Sequence, residues 1–492
     1  MLEREIKLGV TPGFELPPLD RIAEGVVAAP TQETRLETVY YDTPDLRLAR
    51  WGCSLRFRQR QGWTLKLPQP SDGPALVRRE LEFPGDGSRP PEAATALVQA
   101  YVRRSSLVPV ATLSTMRKTV QLKNAAGDLQ AEVVDDDVSV IQGLRVANRF
   151  REVEVELREP GADILIEPVL AMLKAAGAGD VDPTPKHLRA LGPRAAGPPE
   201  VTTIELGPNA LTSEIVRNAI AESVATLMRH DPGVRLGDDP EDVHRARVAT
   251  RRLRSQLRSF RSVLQREWSD PLREELRWLA DQLGAVRDRQ VMAARVRSRL
   301  AEVPAPDRPV VGELARQLTA ESEEVRARLA LDMRSDRYIN LLEKLIEGSR
   351  TPAFLPEAAQ PGTQVVPQLV RRDWRKLRSA VKALPDEPGD ADLHRVRILA
   401  KRARYAAEAA RPIGGQKSAA FARAAADLQG VLGDHQDSVN AQAWLREAGT
   451  GRAAFAAGEL AAIEQFSARQ IRSEWTEKWK LLDRKRLRRW MI

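Results

Sequence analysis

The sequence predicts a multidomain α+β protein: an N-terminal antiparallel β-barrel tunnel with flanking helices, then an all-α, duplicated helical bundle. Three observations predict it. Runs with two-residue alternation are confined to roughly the first 190 residues. Everything after the Pro/Gly-rich GPRAAGPPE (192–200) reads as long Ala/Leu/Arg/Glu-rich helix with heptad-like apolar spacing. The helical part also holds one stretch twice, as HRARVATRRLRS (244–255) and HRVRILAKRARY (394–405). These boundaries give a first domain at 1–192, a linker at 193–204, and a helical domain at 205–492 made of repeats at about 205–345 and 346–492.

Taken in order, LEREIKL opens the chain. The strand candidates that follow are TVYYDT (38–43), SLRFRQR (54–60), WTLKLP (63–68), VRRELEF (77–83), RKTVQL (117–122), LQAEVVDDDVSV (129–140) and REVEVEL (151–157). Turn residues such as SDGP, PGDG and AAGD separate many of them. Helices are predicted over 91–104, 163–176 and Lys186–Leu191. In the helical part, breaks are predicted at DPGVRLGDDP (231–240), VPAPDRP (303–309), around 348–367, and at PDEPGD (385–390). Asp239-Pro240 and Asp390 supply helix-start chemistry just before each basic stretch.

Successive strand residues point to opposite faces. Glu3, Glu5 and Lys7 therefore share a face, as do Arg56, Arg58 and Arg60, Glu80 and Glu82, Glu132 and Asp136, and Glu152, Glu154 and Glu156. Lys66 sits among apolar and aromatic neighbours in WTLKL. Two arrangements fit. In a sandwich the charged faces are solvated; in a closed barrel they line a tunnel and the apolar faces pack outward. A tunnel holding both signs suits a phosphate chain with its metals. Carboxylates bind hard cations such as Mg²⁺ or Mn²⁺, and Arg and Lys neutralise phosphate oxygens.

Glu3-x-Glu5-x-Lys7 at the N-terminus resembles the ExExK signature of the CYTH superfamily, the triphosphate tunnel metalloenzymes. YYDTPDLRL, LRFRQ, WTLKLP, RRELEF, EVEVEL and TPKHLRAL (184–191) follow in that family's order over roughly residues 1–192. The resemblance implies that Glu3 and Glu5 are metal ligands, with Asp136, Glu152 and Glu154 completing the set and Glu156 extending it. Asp135 and Asp137 flank Asp136 and compete for its place. It also implies triphosphate contacts from Lys7, Arg56, Arg58, Lys66, Arg117 (with Lys118 adjacent) and Lys186, and a catalytic group of Glu3, Glu5, Lys7 and Lys66. Glu80, Glu82 and Glu132 are tunnel residues that pair with the bases. The implied reaction is hydrolysis of inorganic triphosphate to pyrophosphate and phosphate, dependent on Mg²⁺ or Mn²⁺, by in-line attack of water. The alternatives are a non-catalytic polyphosphate-binding protein, or an organic triphosphatase or adenylate cyclase.

The tail resembles a CHAD domain, a helical domain named for conserved histidines, over about 205–480. His244, Arg247, Arg251 and Arg254 recur as His394, Arg397, Lys401 and Arg404, at offsets 0, 3, 7 and 10. Leu283-Gly284 and Asp288 recur as Leu432-Gly433 and Asp437. The paired segments are offset by 150 and 149 residues, so the two basic faces read as parts of a true internal repeat. Two such faces suit one groove for a long polyanion, and CHAD domains are associated with polyphosphate binding. Base-stacking aromatics are missing from both stretches except at their ends (Phe260, Tyr405), which argues against nucleic acid, although binding to its backbone alone stays open.

The formal net charge of +9 favours polyanionic partners. A single cysteine, Cys53, excludes an intrachain disulfide and reads as a small buried residue. Charges in LEREIK interrupt any signal-peptide core, and no run is long enough to span a bilayer. The expected location is therefore cytoplasmic, with association to polyphosphate granules suggested by the tail. Trp475, Trp479 and Leu482 have the spacing of a face that packs on the bundle rather than on a membrane.

Overall fold

Among the described residues, nine strands dominate the first unit, Met1–Glu200. They are β1 (Leu2–Val10), β2 (Val26–Ala28), β3 (Gln32–Asp42), β4 (Ser54–Arg58), β5 (Gly62–Pro68), β6 (Leu76–Phe83), β7 (Val108–Asn124), β8 (Leu129–Gln142) and β9 (Arg145–Leu157). The computed structural model describes residues 2–491 apart from Arg21, Ser71, Asp72, Pro74 and Pro160. Eight strands close into an antiparallel ring in the order β7-β3-β4-β5-β6-β1-β9-β8, with β8 returning to β7; β2 pairs with β7 outside the ring. Closure removes free sheet edges. It also decides between the two arrangements left open by the sequence, because the charged faces line the lumen.

The outward faces are apolar and covered. The helices of this unit are α1 (Arg47–Arg50), α2 (Glu92–Leu97), α3 (Gln99–Val102), α4 (Ile166–Ala175) and α5 (Lys186–Leu191). Leu8, Leu122, Val133, Val153 and Val155 pack with Val169 and Leu173 of α4. Burying each such aliphatic side chain stabilises by about 1.5–3 kcal/mol. Cys53 is fully buried. The helix expected over 91–104 is instead the pair α2 and α3, separated by the buried Val98. The stretch read as a linker packs on the barrel at its start: Ala195 lies against Leu46 and Ala49, and Glu200 pairs with Arg103 at 2.5 Å.

Asp42 ends β3 and holds the following turn together. Its buried carboxylate accepts from the backbone N–H groups of Thr43 (2.6 Å), Leu48 (2.8 Å) and Ala49 (2.9 Å). Asp42→Ala strands three buried donors and is expected to destabilise the barrel by about 3 kcal/mol or more. Urea unfolding measures this, and Asp42→Asn, which keeps one acceptor oxygen, is expected to recover part of the loss.

The second unit, Val201–Ile492, is helical. Its helices are α6 (Thr212–Leu236), α7 (Pro240–Ser259), α8 (Arg266–Ser298), α9 (Arg308–Asp332), α10 (Asp336–Arg350), α11 (Gly362–Lys382), α12 (Asp390–Ala409), α13 (Arg411–Ala448), α14 (Ala454–Leu482) and α15 (Lys485–Arg488). The starts of α6 and α11, and of α7 and α12, lie 150 residues apart. Backbone bonds join the first pair reciprocally: the N–H of Thr212 donates to Gln360 O at 3.0 Å, and that of Gly362 to Ala210 O at 2.9 Å. The break expected at 231–240 is shorter than its sequence suggests. Helix α6 runs through Pro232 and stops only at Gly237, whose φ of 74° suits the left-handed cap. Asp231, just before the proline, is buried and held by Tyr338 and Arg235. Trp475 and Leu482 are buried in the core with Trp374 and Phe421, and Trp479 stacks on Trp374.

Candidate functional site: a charged tunnel and a basic cleft

Strand register places the tunnel charges. Directly opposed residues share a face, and Glu3 opposes Arg78, Glu5 opposes Glu156, and Lys7 opposes Glu154. Further round the ring Lys66 opposes Glu80, Arg117 opposes Asp136, and Asp136 opposes Glu152. The same register puts Asp136 inward and Asp135 and Asp137 outward. Asp135 pairs with Arg151 at 2.7 Å, and Asp137 is exposed. The lumen encloses about 720 Å³.

The charges sort into two groups, linked by Lys7, whose Nζ also lies 3.5 Å from Glu5. In the first, Lys186 of α5 sits 2.9 Å from Asp136, 2.9 Å from Glu152 and 2.6 Å from Glu154. Lys7 adds contacts to Glu152 (3.3 Å) and Glu154, and Arg117 grips Asp136 at 2.8 and 2.7 Å. Burial alone would raise the Glu154 carboxyl. Lys186, Lys7 and Arg117 outweigh it and hold the group well below the usual carboxylate range. In the second group, Lys66 bridges Glu3 and Glu80, and Arg78 bridges Glu3 and Glu5. Oxygens of Glu3, Glu5 and Glu156 all lie within 4.8 Å of one another. Burial and the neighbouring Glu154 push the Glu156 carboxyl up, against the pull of Arg158.

Three buried carboxylates converging from adjacent strands fit a hard divalent cation. They are Glu3, Glu5 and Glu156. The other acids that the resemblance implied as ligands, Glu152, Glu154 and Asp136, pair with Lys7, Lys186 and Arg117, just as Glu3 and Glu5 pair with Lys66 and Arg78 and Glu156 with Arg158. They differ from the trio in not sharing its common point. The lumen around the trio is rich in cations. Arg56, Arg58, Lys66, Arg78, Arg117 and Lys186 all line the lumen. Arg58 donates to Thr38 and Gln61 and, among the described residues, makes no ion pair. Burial, then Arg56 and Arg117, bring its guanidinium down to about 9, so an anion placed beside it relieves both burial and repulsion. Glu82 lines the lumen as well, while Glu132 pairs with Arg158 at the wall.

Sequence reasoning misses Arg78, although it shares the alternation of Glu80 and Glu82 in VRRELEF. It also misses Tyr40 and His187, whose rings stack at 5.3 Å in the lumen wall. Burial and four nearby cations push His187 down to about 3, so it is neutral at physiological pH.

In the helical unit a cavity of about 460 Å³ is lined by Arg247 and Arg251 of α7, Arg287 and Arg295 of α8, and Arg397 and Lys401 of α12. His244, Tyr405 and the carboxylates Asp288 and Asp437 also line it. Both repeats thus contribute to one cleft. The Leu-Gly motifs help to shape it: Gly284 lies against the Arg247 guanidinium and Gly433 against that of Arg397. Asp288 pairs with Arg247 at 2.9 Å. Three expected residues are elsewhere. His394 lines a different groove and bonds Gln436 at 2.7 Å; Arg404 is held by Glu408 at 2.7 Å; Arg254 faces Asp281 and Glu274. Residues three apart share a helix face, and the spacing is the same in both repeats, so it does not separate His394 from Arg397. The difference is local, with His394 held by Gln436 of α13. Arg287 and Arg295 lie outside both basic stretches, and no repeat signal marks them.

Comparisons with known proteins agree with this division. The CYTH domain model matches residues 1–176, and the CHAD domain model matches residues 218–446. Uncharacterized protein Rv2226 of Mycobacterium tuberculosis is 32% identical over 469 residues, 89% of this chain and 87% of that protein. Uncharacterized protein MT2285, from a second strain, matches at the same identity and coverage. Among solved structures, PptA from Streptomyces chartreusis aligns with a TM-score of 0.47 at 23% identity, over 55% of this chain and 100% of that one. The CHAD domain from the plant Ricinus communis aligns with a TM-score of 0.49 at 25% identity, over 57% and 95%. No described helix is long and apolar enough to cross a membrane.

Proposed function

This chain belongs to the family that fuses a CYTH domain to a CHAD domain, and from that premise we propose that its tunnel hydrolyses inorganic triphosphate while its helical cleft binds polyphosphate. The observation that carries the reading is the pairing, in one lumen, of the Glu3, Glu5 and Glu156 trio with a wall of Arg and Lys. Mg²⁺ or Mn²⁺ bound by the trio would supply charge neutralisation and polarisation of a phosphoryl oxygen. The chain's own residues do the rest. Arg56, Arg58 and Arg117 offer planar guanidinium groups to phosphate oxygens and set the chain's direction along the lumen. Lys66 and Lys186 add point charges that stabilise the negative charge on the leaving pyrophosphate. Entering phosphate takes over cations that now pair with Glu3, Glu5 and Glu80, which frees those carboxylates.

The test is phosphate release by the full chain with Mg²⁺ or Mn²⁺, against triphosphate, long-chain polyphosphate, ATP and thiamine triphosphate. Fastest turnover is expected on inorganic triphosphate. No release from any of the four, with polyphosphate binding intact, would replace this reading with that of a binding protein. Preference for ATP or thiamine triphosphate would assign the tunnel to organic substrates. Arg251→Glu with Lys401→Glu is expected to weaken polyphosphate binding at least ~10-fold, since two charge contacts are reversed, and to leave triphosphate turnover unchanged.

A further inference from the structure

The two helical repeats differ in one respect that the fold does not require. Between α11 and α12 lies a groove of about 850 Å³, apart from the cleft described above. Arg372, Arg375, Lys376, Arg395 and Arg402 line it, and its floor is apolar, with Ala380, Ala383, Leu384 and Leu399. Asp392 is the carboxylate in the lining, and it caps the backbone N–H of Gly389 at 3.1 Å. Among the described residues, Arg375, Lys376, Arg395 and Arg402 make no ion pair. The Nε of Arg372 is buried without a hydrogen-bond partner.

The first repeat serves as an internal control. Subtracting the 150-residue offset, the mates of Arg372, Arg375, Lys376, Asp392, Arg395 and Arg402 are Glu222, Ala225, Thr226, Asp242, Arg245 and Arg252. Five cations and one carboxylate in the second repeat thus correspond to two cations and two carboxylates in the first. The gap differs too. His230, the mate of Ala380, bridges α6 to α7 by its bond to Asp242 at 2.7 Å. In the second repeat Ala380 has no such side chain, and the space is open. Charge and opening both occur at positions where the same helix pair folds without them.

We propose that this groove binds a small organic phosphate of the nucleotide class, with phosphates on Arg375, Lys376, Arg395 and Arg402 and the organic body on Leu384 and Leu399. The volume lies within the roughly 300–1,000 Å³ of small-molecule sites. Unpaired guanidinium groups suit terminal phosphates. The apolar floor distinguishes the ligand from a bare phosphate chain, which would engage only the rim.

The test is photolabelling of the full chain with 8-azido-ATP, followed by peptide mapping, so that groove and tunnel are read separately. Label is expected on peptides spanning 368–402, with ADP protecting them at least ~10-fold better than pyrophosphate, because only ADP fills the apolar floor. Arg375→Glu with Arg395→Glu, both exposed, is expected to cut that label at least ~10-fold without changing the melting temperature. Ala380→His, which rebuilds the bridge of the first repeat, is expected to do the same by closing the gap. Label confined to tunnel peptides would overturn the proposal. So would groove label that survives the charge reversal, or protection by pyrophosphate equal to that by ADP. None of these results bears on whether the tunnel hydrolyses triphosphate.

Discussion

Glu156→Gln is expected to lower triphosphate turnover by ~10²–10³-fold, because a lost metal ligand removes several kcal/mol of charge stabilisation at about 1.4 kcal/mol per tenfold. It is also expected to raise the Mn²⁺ concentration needed for half-saturation, measured by titration without substrate. Glu3→Gln and Glu5→Gln should behave alike, since the three carboxylates converge on one point. Glu152→Gln is expected to differ in kind. That side chain is fully buried and neutralises Lys7 and Lys186 at 3.3 and 2.9 Å. Removing it leaves buried ammonium charge short of a partner, a loss of up to about 3 kcal/mol of stability. Mn²⁺ affinity should stay near wild type. An equal loss of Mn²⁺ affinity in Glu152→Gln and Glu156→Gln would place the cation among the lysine-bound acids instead. A second signature follows from Glu156. Burial and Glu154 raise its carboxyl, so a proton competes with the cation there. Mn²⁺ affinity should therefore rise with pH through the carboxylate range.

The alternation of charge in short strands is enough to sort lumen from exterior. Glu3, Glu5, Lys7, Arg56, Arg58, Lys66, Arg117, Asp136, Glu152 and Glu154 all lie on the inward faces of one closed ring. What alternation does not contain is depth along the barrel. Register shifts each strand against its neighbour, so Glu5 meets Glu156 rather than Glu152. Which acids reach a common point and which reach a lysine is decided there, together with the α5 segment that brings Lys186 in from outside the sheet. The helical unit divides similarly. The 150-residue offset pairs the residues that meet in one cleft, Arg247 with Arg397 and Arg251 with Lys401. It does not reveal that His394 faces elsewhere, because an offset reports equivalence between repeats and not which flank each repeat shows its neighbour.

Among the paired cations of the cleft, that equivalence is broken at one position, with a measurable consequence. Arg251 corresponds to Lys401, and only the lysine can lose its proton. Lys401 is buried in the wall of the cleft. Arg251 and Arg247 face it from α7 and Arg397 from its own helix, while Asp437 of α13 opposes them. Asp288 of α8 is engaged by Arg247. Burial, then the three arginines, bring the Lys401 amine down to about 6, so in the empty cleft it is mostly neutral at about pH 7.5. A polyanion favours the charged form, so binding draws in a proton. Above about pH 6, polyphosphate affinity should fall by up to ~10-fold per pH unit, until the amine's ionisation in the complex is passed. Folding has the opposite sign. The unfolded chain binds this proton more tightly than the native one, so the lysine's contribution makes the empty protein more stable as pH rises from about 6 toward the ordinary lysine value. Calorimetric titration with long-chain polyphosphate, in buffers of different ionisation enthalpy at about pH 7.5, should show uptake approaching one proton per site. Lys401→Arg should abolish that uptake and flatten the pH dependence between about 6 and 8 while binding persists. Binding without proton uptake in the wild type would show that Lys401 is already charged in the empty cleft; no polyphosphate binding even at about pH 6 would instead remove the cleft's assigned ligand.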